Sequence, residues 1–324
     1  MAATFDEVVA RVSRWAPGNP LLVAAPGATR FLPPAMIPEL AKVARDRIAR
    51  FSRNLIILLS SAGVIHLLSA LLFFADLAGT KKAVPVALGW GLMFLGWAAL
   101  LAMDARHLRT ADGMSERALF LHWLTTSRQG KHALWFWLAV MVAAGVSQLV
   151  SLQLLGGSEK AVFHQYGVMY GEVREGEYWR LLTGPWLHYS LQHYLINTAL
   201  ALFAGMVASA LFGHAAFVVF LLANTVSAAA QMGLGGDAFN NFGGVSGGVY
   251  ALCGLVAAAG LGRRRLLPKG FPVFWMGIAV IGVIASELLS ETAATTAHVT
   301  GLLVGVLAAP IVCGLPRRAC EEAR

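Results

Sequence analysis

The chain has 324 residues, of which 57% are hydrophobic and only 13% charged, and its mean hydropathy is +0.66. Soluble domains carry about 25% charged residues, so this composition excludes a soluble globular domain. The net charge of +8 does not point to nucleic acid either, because the basic residues flank apolar runs in the manner of cytoplasmic anchors.

Those runs reach the roughly 20 residues that a membrane-crossing helix needs. The fold class expected is an all-α polytopic membrane protein. Residues 1–54 read as a cytosolic extension. Pro17, Pro20, Pro26, Pro33 and Pro34 interrupt its first part. Met36 to Arg50 then has an amphipathic pattern that suits either the inner membrane face or packing on the protein. The stretch from Leu21 to Ala25 is too short for the apolar part of a signal peptide. Spans at 55–77 and 84–103 form a hairpin, with Lys81 and Lys82 in its outer turn. His66, inside the first of them, reads as a hydrogen-bonded core residue. A basic linker, 104–133, carries Arg106, Arg109, Arg117, Arg128 and Lys131 and belongs inside.

A third span at 134–155 ends outside. The stretch that follows, 156–185, has no clear span. It contains Gly-Glu-Tyr-Trp-Arg-Leu-Leu-Thr at 176–183. Tyr178 and Trp179 suit the membrane interface, and Arg180 suits backbone carbonyls or lipid headgroups. The fourth span opens with the stretch Leu187 to Asn197. His193 and Asn197 are four apart and share a helix face, with His188 further back near the outer mouth. Polar groups inside a membrane helix usually mark a site. Two such donors can hold an oxyanion or serve as interhelical hydrogen bonds. A metal is disfavoured, because Asn is a poor zinc ligand and no acid is near.

Further spans follow at 215–230, 246–261, 271–289 and 297–312, and a cytosolic tail at 314–324. Arg263, Arg264, Arg265 and Lys269, then Arg317 and Arg318, place both of their segments inside. Eight spans with cytoplasmic termini satisfy every basic cluster. Cys253, Cys313 and Cys320 have no CxxC or metal spacing, and no cofactor is expected.

Chemistry is concentrated where polar residues meet glycines. Ser246 sits in Phe-Gly-Gly-Val-Ser-Gly-Gly-Val-Tyr at 242–250. At a helix N-terminus its surroundings favour a developing negative charge. Taken alone, the same motif also describes a small-residue packing face. In the topology above, Ser246 and His298 both start helices running inward, and His193 lies at a similar depth. Gly301 and Gly305 pave the helix below His298, and Gly247 and Gly254 offer a matching surface. Two helices meeting through these glycines bring a hydroxyl and an imidazole together as nucleophile and base. Glu287, the one nearby acid, reads as a span-end residue, so the expectation is a dyad.

Four pieces in this order and spacing resemble the rhomboid intramembrane serine proteases. They are Glu177-Tyr178-Trp179-Arg180, the His188/His193/Asn197 helix, Gly244-Val245-Ser246-Gly247 with Tyr250, and Ala297-His298 with Gly301 and Gly305. The likeness covers residues 134–313 and implies a six-helix core preceded by an extra hairpin at 55–103. It implies Ser246 as nucleophile and His298 as base. It also implies an oxyanion hole of His193, Asn197 and backbone N–H groups, Tyr250 stacked beside His298, and Arg180 bracing the outer loop. The implied activity is endoproteolysis of transmembrane protein substrates near the outer face of a bilayer, in a bacterial inner membrane. The rival reading is a catalytically silent rhomboid-like binder or chaperone. A transporter is disfavoured, since there is neither an inverted repeat nor a mid-membrane acid.

Overall fold

In the computed structural model the described residues are 4–16, 21–24, 31–75, 83–108, 110–235, 240–262, 267–289 and 294–314. Lys81, Lys82, Arg109, Arg263, Arg264, Arg265, Arg317, Arg318, Cys320, Pro17, Pro20 and Pro26 lie outside them. The described residues are mostly helical, with one short two-stranded ribbon and an isolated bridge between Val23 and Leu32, and the chain divides into two compact units. The first comprises residues 1–127 and 263–293, the second 128–262 and 294–324.

The first unit begins with α1 (Phe5–Arg14). Thr4 and Glu7 close a reciprocal capping box at its start. Next comes α2 (Pro38–Phe74), a single helix of 37 residues. The amphipathic stretch at 36–50 and the first span are therefore one element. No proline and no glycine occurs between Glu39 and Ala62 to break it. Its first turns do not need a membrane surface. Leu40, Ala44 and Ile48, spaced four apart, bury themselves against Val12, Ala35 and Met114. Arg47 Nε adds a 2.7 Å bond to the Trp15 carbonyl.

After α3 (Val84–Leu108), the basic linker contains a helix, α4 (Ala111–Thr126), started by Thr110. Arg117 of α4 holds Asp104 of α3 through two bonds of 2.5 and 3.2 Å. The α2–α3 hairpin packs by side chains entering glycine notches, Leu95 at Gly63 and Leu67 at Gly91. His66 lies in this hairpin, its Nδ1 2.8 Å from the Ala62 carbonyl.

The second unit opens with α5 (Arg128–Leu154). The stretch at 156–185 folds as α6 (Glu159–Tyr166), strand β1 (Val168–Met169), α7 (Tyr170–Arg174), α8 (Arg180–Thr183) and a 3-10 turn at Gly184–Trp186. It is followed by α9 (Leu191–Phe212), α10 (His214–Leu234), strand β2 (Asn241–Phe242) and α11 (Ser246–Gly262). α12 (Phe271–Leu289) belongs to the first unit and packs on α3, while α13 (Thr295–Gly314) completes the second.

Among the described residues, α2, α3, α5, α9, α10 and α13 are long and apolar enough to cross a membrane, and α11 and α12 are shorter apolar helices. The chain is a multi-pass membrane protein. At the middle of the second unit, Trp137 is fully buried against Gly205, Phe217 and Phe220, with its Nε1 donating to Ser209 Oγ at 2.9 Å. This anchors α5, α9 and α10 beneath the polar cluster described next.

Candidate active site

Arg180, His188, His193, Asn197, Ser246, Tyr250 and His298, the site residues singled out in the sequence, all fall in the second unit. α11 starts where the chain turns through Gly244, at φ 110°. That backbone region is open to glycine and closed to most other residues. A Cβ at Gly244 would also lie 2.6 Å from the His193 ring. The turn delivers Ser246 as the first residue of α11, 8% exposed. Its Oγ lies 2.9 Å from His298 Nε2 on α13.

That contact depends on the absence of side chains between α11 and α13. A Cβ at Gly301 would collide with the Gly247 carbonyl, one at Gly305 with the Ala251 carbonyl, and one at Gly254 with the Leu302 carbonyl. The helices run parallel with backbone against backbone. Tyr250, one turn below Ser246, places its ring 4.7 Å from the His298 ring.

α9 supplies the other wall. Ser190 Oγ accepts the His193 N–H at 3.1 Å and starts the helix. His188 therefore precedes the helix, a correction to the expectation that it lies within the fourth span. Its main chain is clamped by Gln148, which accepts the N–H at 3.0 Å and donates to the carbonyl at 2.7 Å. The ring of His188 sits edge-on to His193 at 5.1 Å. Burial pushes its pKa down to about 4, helped by His193 and opposed by a bond to the Trp186 carbonyl. Asn197 is 3% exposed, and its Nδ2 has no hydrogen-bond partner in the protein. It lies 3.6 Å from where a Gly244 Cβ would stand. An unmade bond on a buried amide costs free energy, and such groups often await a ligand.

The stretch before Ser246 is pinned from the 156–185 region. β1 and β2 pair antiparallel, Val168 with Phe242 and Met169 with Asn241. The Gly244 N–H donates to the Pro185 carbonyl at 3.1 Å, and Tyr189 Oη donates to Asn241 Oδ1 at 2.8 Å. Arg180, 5% exposed, donates to the carbonyls of His164 and Gly167 at 2.9 and 3.1 Å and pairs with Glu177 at 2.6 Å. Of the two roles open to it in the sequence, the carbonyl one is made.

Two positioning groups escaped the sequence reading. Asn224 and Gln231 lie seven apart on α10, so they share a face. Asn224 Oδ1 accepts the Gly248 N–H at 2.7 Å, and Gln231 Oε1 accepts the Ala297 N–H at 3.1 Å. One helix thus holds the first turns of both α11 and α13. The signal was available as polar residues recurring in an apolar run.

Residues 175–315 match the model of the Rhomboid domain. Over those residues the chain is similar to rhomboid domains. It is 33% identical over 165 residues to the Rhomboid protease GlpG of Yersinia pestis (strain Pestoides F), covering 49% of this chain and 56% of that protein. The same figures hold for the protein of that name from Yersinia pseudotuberculosis serotype O:3 (strain YPIII). The chain thus spans a little over half the length of these curated relatives. Every polar residue of the cluster except Gln148 and His164 falls within the matched residues.

Proposed function

We propose that the protein is an intramembrane serine endopeptidase that cleaves transmembrane segments of membrane proteins near the outer face of the bilayer. The observation that carries this reading is the 2.9 Å approach of Ser246 Oγ to His298 Nε2. It is reinforced by the names of the relatives. The proposed catalytic core is residues 134–313, in a bacterial inner membrane with both termini cytoplasmic.

In this reading Ser246 Oγ attacks the scissile carbonyl carbon while His298 Nε2 takes the hydroxyl proton. The carbonyl electrons move onto oxygen. That oxyanion is met by Asn197 Nδ2, His193 and the Ser246 N–H. The Asn197 donor has no partner to lose in the resting protein, so the whole bond is gained as charge develops. The His298 proton then passes to the amine as the C–N bond breaks. Water, activated by His298, releases the acyl group.

Tyr250 limits the swing of the imidazole, and Arg180 and the β1–β2 ribbon hold the turn before Ser246. Unwinding of the substrate helix near the surface exposes the peptide bond, because in lipid a helix keeps its backbone groups satisfied internally.

A fluorophosphonate probe tests the reading directly. Labelling at Ser246 that disappears in Ser246→Ala and His298→Ala is expected. A wild-type protein that stays unlabelled and leaves transmembrane substrates intact would instead be the silent binder.

A further inference from the structure

We propose that Asn224 is a positioning residue for the nucleophile, supplying from α10 the cap that α11 lacks in its own sequence. This rests on Ser246 acting as proposed. A helix leaves its first N–H groups without intrahelical acceptors. The usual remedy is Ser, Thr, Asp or Asn at the N-cap, bonded to the second or third N–H of the helix. The residue before Ser246 is Val245, which has no acceptor in its side chain.

Asn224 makes the missing bond, its Oδ1 2.7 Å from the N of Gly248, the third residue of α11. The donor is a backbone N–H, so the oxygen of the amide must be the atom facing it. Residue 248 is glycine for a matching reason. A Cβ there would lie 2.7 Å from Asn224 Nδ2 and 2.5 Å from the Phe220 ring.

The arrangement sorts the donors of the first turn. The Gly248 N–H is consumed by Asn224, which leaves those of Ser246 and Gly247 for charge that forms at the nucleophile. The cap also fixes the rotation of that turn. Both the line from Ser246 Oγ to His298 and the direction of the Ser246 N–H depend on that rotation. A neutral amide oxygen achieves this without placing a carboxylate beside a developing oxyanion. Asn224 is 4% exposed and its Nδ2 has no partner in the protein, so the group is kept at a cost for what its oxygen does.

The test compares Asn224→Leu, which keeps the volume and removes the acceptor, with Asn224→Asp, which keeps an acceptor oxygen at the same place whether ionised or not. Full-length protein in detergent is assayed for fluorophosphonate labelling rate, for kcat and KM on a transmembrane peptide, and for amide exchange over residues 246–249. Asn224→Leu is expected to label about tenfold more slowly, with the loss in kcat rather than KM, and to exchange faster at Gly248. Asn224→Asp should restore the slow exchange at Gly248, whatever its carboxylate does to the labelling rate.

Wild-type labelling in Asn224→Leu overturns the proposal. So does an Asn224→Asp protein that exchanges at Gly248 as fast as the leucine variant, which would make the effect one of packing. Asn224→Ala serves if the leucine variant does not fold. Should the wild type itself fail to label at Ser246, the protease reading falls, and exchange at Gly248 decides the cap by itself.

Discussion

Two helix pairs in this protein use glycine at their contacts, and they use it differently. In the α2–α3 hairpin, Gly63 and Gly91 are notches that receive the leucine side chains of Leu95 and Leu67. Between α11 and α13, Gly247, Gly301, Gly305 and Ala251 bring one backbone onto the other. A side chain can rotate away from an added methyl group, whereas a carbonyl in a helix ladder cannot without moving the helix. The first pair has more tolerance, since its nearest backbone atoms, the Gly91 and Gly63 carbonyl oxygens, would stand 3.1 and 3.3 Å from the added Cβ atoms. The second has a fixed separation, and it is the pair that carries Ser246 and His298.

The sharpest way to separate the two pairs is through chemistry. Ser246→Ala and His298→Ala are expected to abolish cleavage while the melting temperature stays near wild type, and the double variant should be no worse than either. Proteolysis by either single variant in liposomes removes the second pair's claim to a special role.

Next in size is the spacing itself. Gly301→Ala has to push α13 off the Gly247 carbonyl. A misplacement of about 1 Å can cost roughly a hundredfold in rate, and overpacking costs about 1–3 kcal/mol in stability. Cleavage kinetics and thermal melting on one preparation check both figures. An active, stable Gly301→Ala protein would mean that the α11–α13 contact is as forgiving as the hairpin.

Asn197→Ala should lower kcat about 10- to 1000-fold with little change in KM, because a transition-state donor is lost, and the lower end holds if His193 compensates. Were Asn197 only interhelical glue, the variant would instead lose roughly 0.6 kcal/mol of stability and keep its kcat.

A smaller effect comes from His188. Its folded-state pKa of about 4 lies below the ordinary value of 6.5, so between those values the unfolded chain binds the proton more readily. Stability is therefore full above about pH 6.5 and declines as pH falls towards 4, by up to about 3 kcal/mol. His188→Gln should flatten that part of the melting-temperature profile. An unchanged slope in the variant would assign the acid sensitivity to other groups.

The smallest change is expected in the hairpin. At Gly63→Ala, the gain of about 1 kcal/mol in helix propensity offsets much of the cost of moving Leu95. The melting temperature should shift by a few degrees at most, with kcat unchanged. A collapse of activity there would erase the contrast between the two pairs.

The sequence by itself determined the membrane class and the positions of the apolar helices, because hydrophobic run length is a local property set by bilayer thickness. It also marked Ser246, His193, Asn197 and His298, since polar residues are costly in such runs and stand out against them. The glycines at 247, 254, 301 and 305 were legible as smooth surfaces for the same local reason.

Only the tertiary structure decided what met what. The continuity of α2 through residue 50 came from the burial of Leu40, Ala44 and Ile48 on a partner surface, which periodicity suggests but does not identify. His188 left the helix because Ser190 caps it and Gln148, 40 residues away, holds the His188 main chain. Asn224 and Gln231 gained their roles from N–H groups 24 and 66 residues distant. Such bonds join groups that no helical or strand period relates. They exist only once the helices have packed, because a buried N–H without a helical acceptor takes whatever oxygen the fold brings to it.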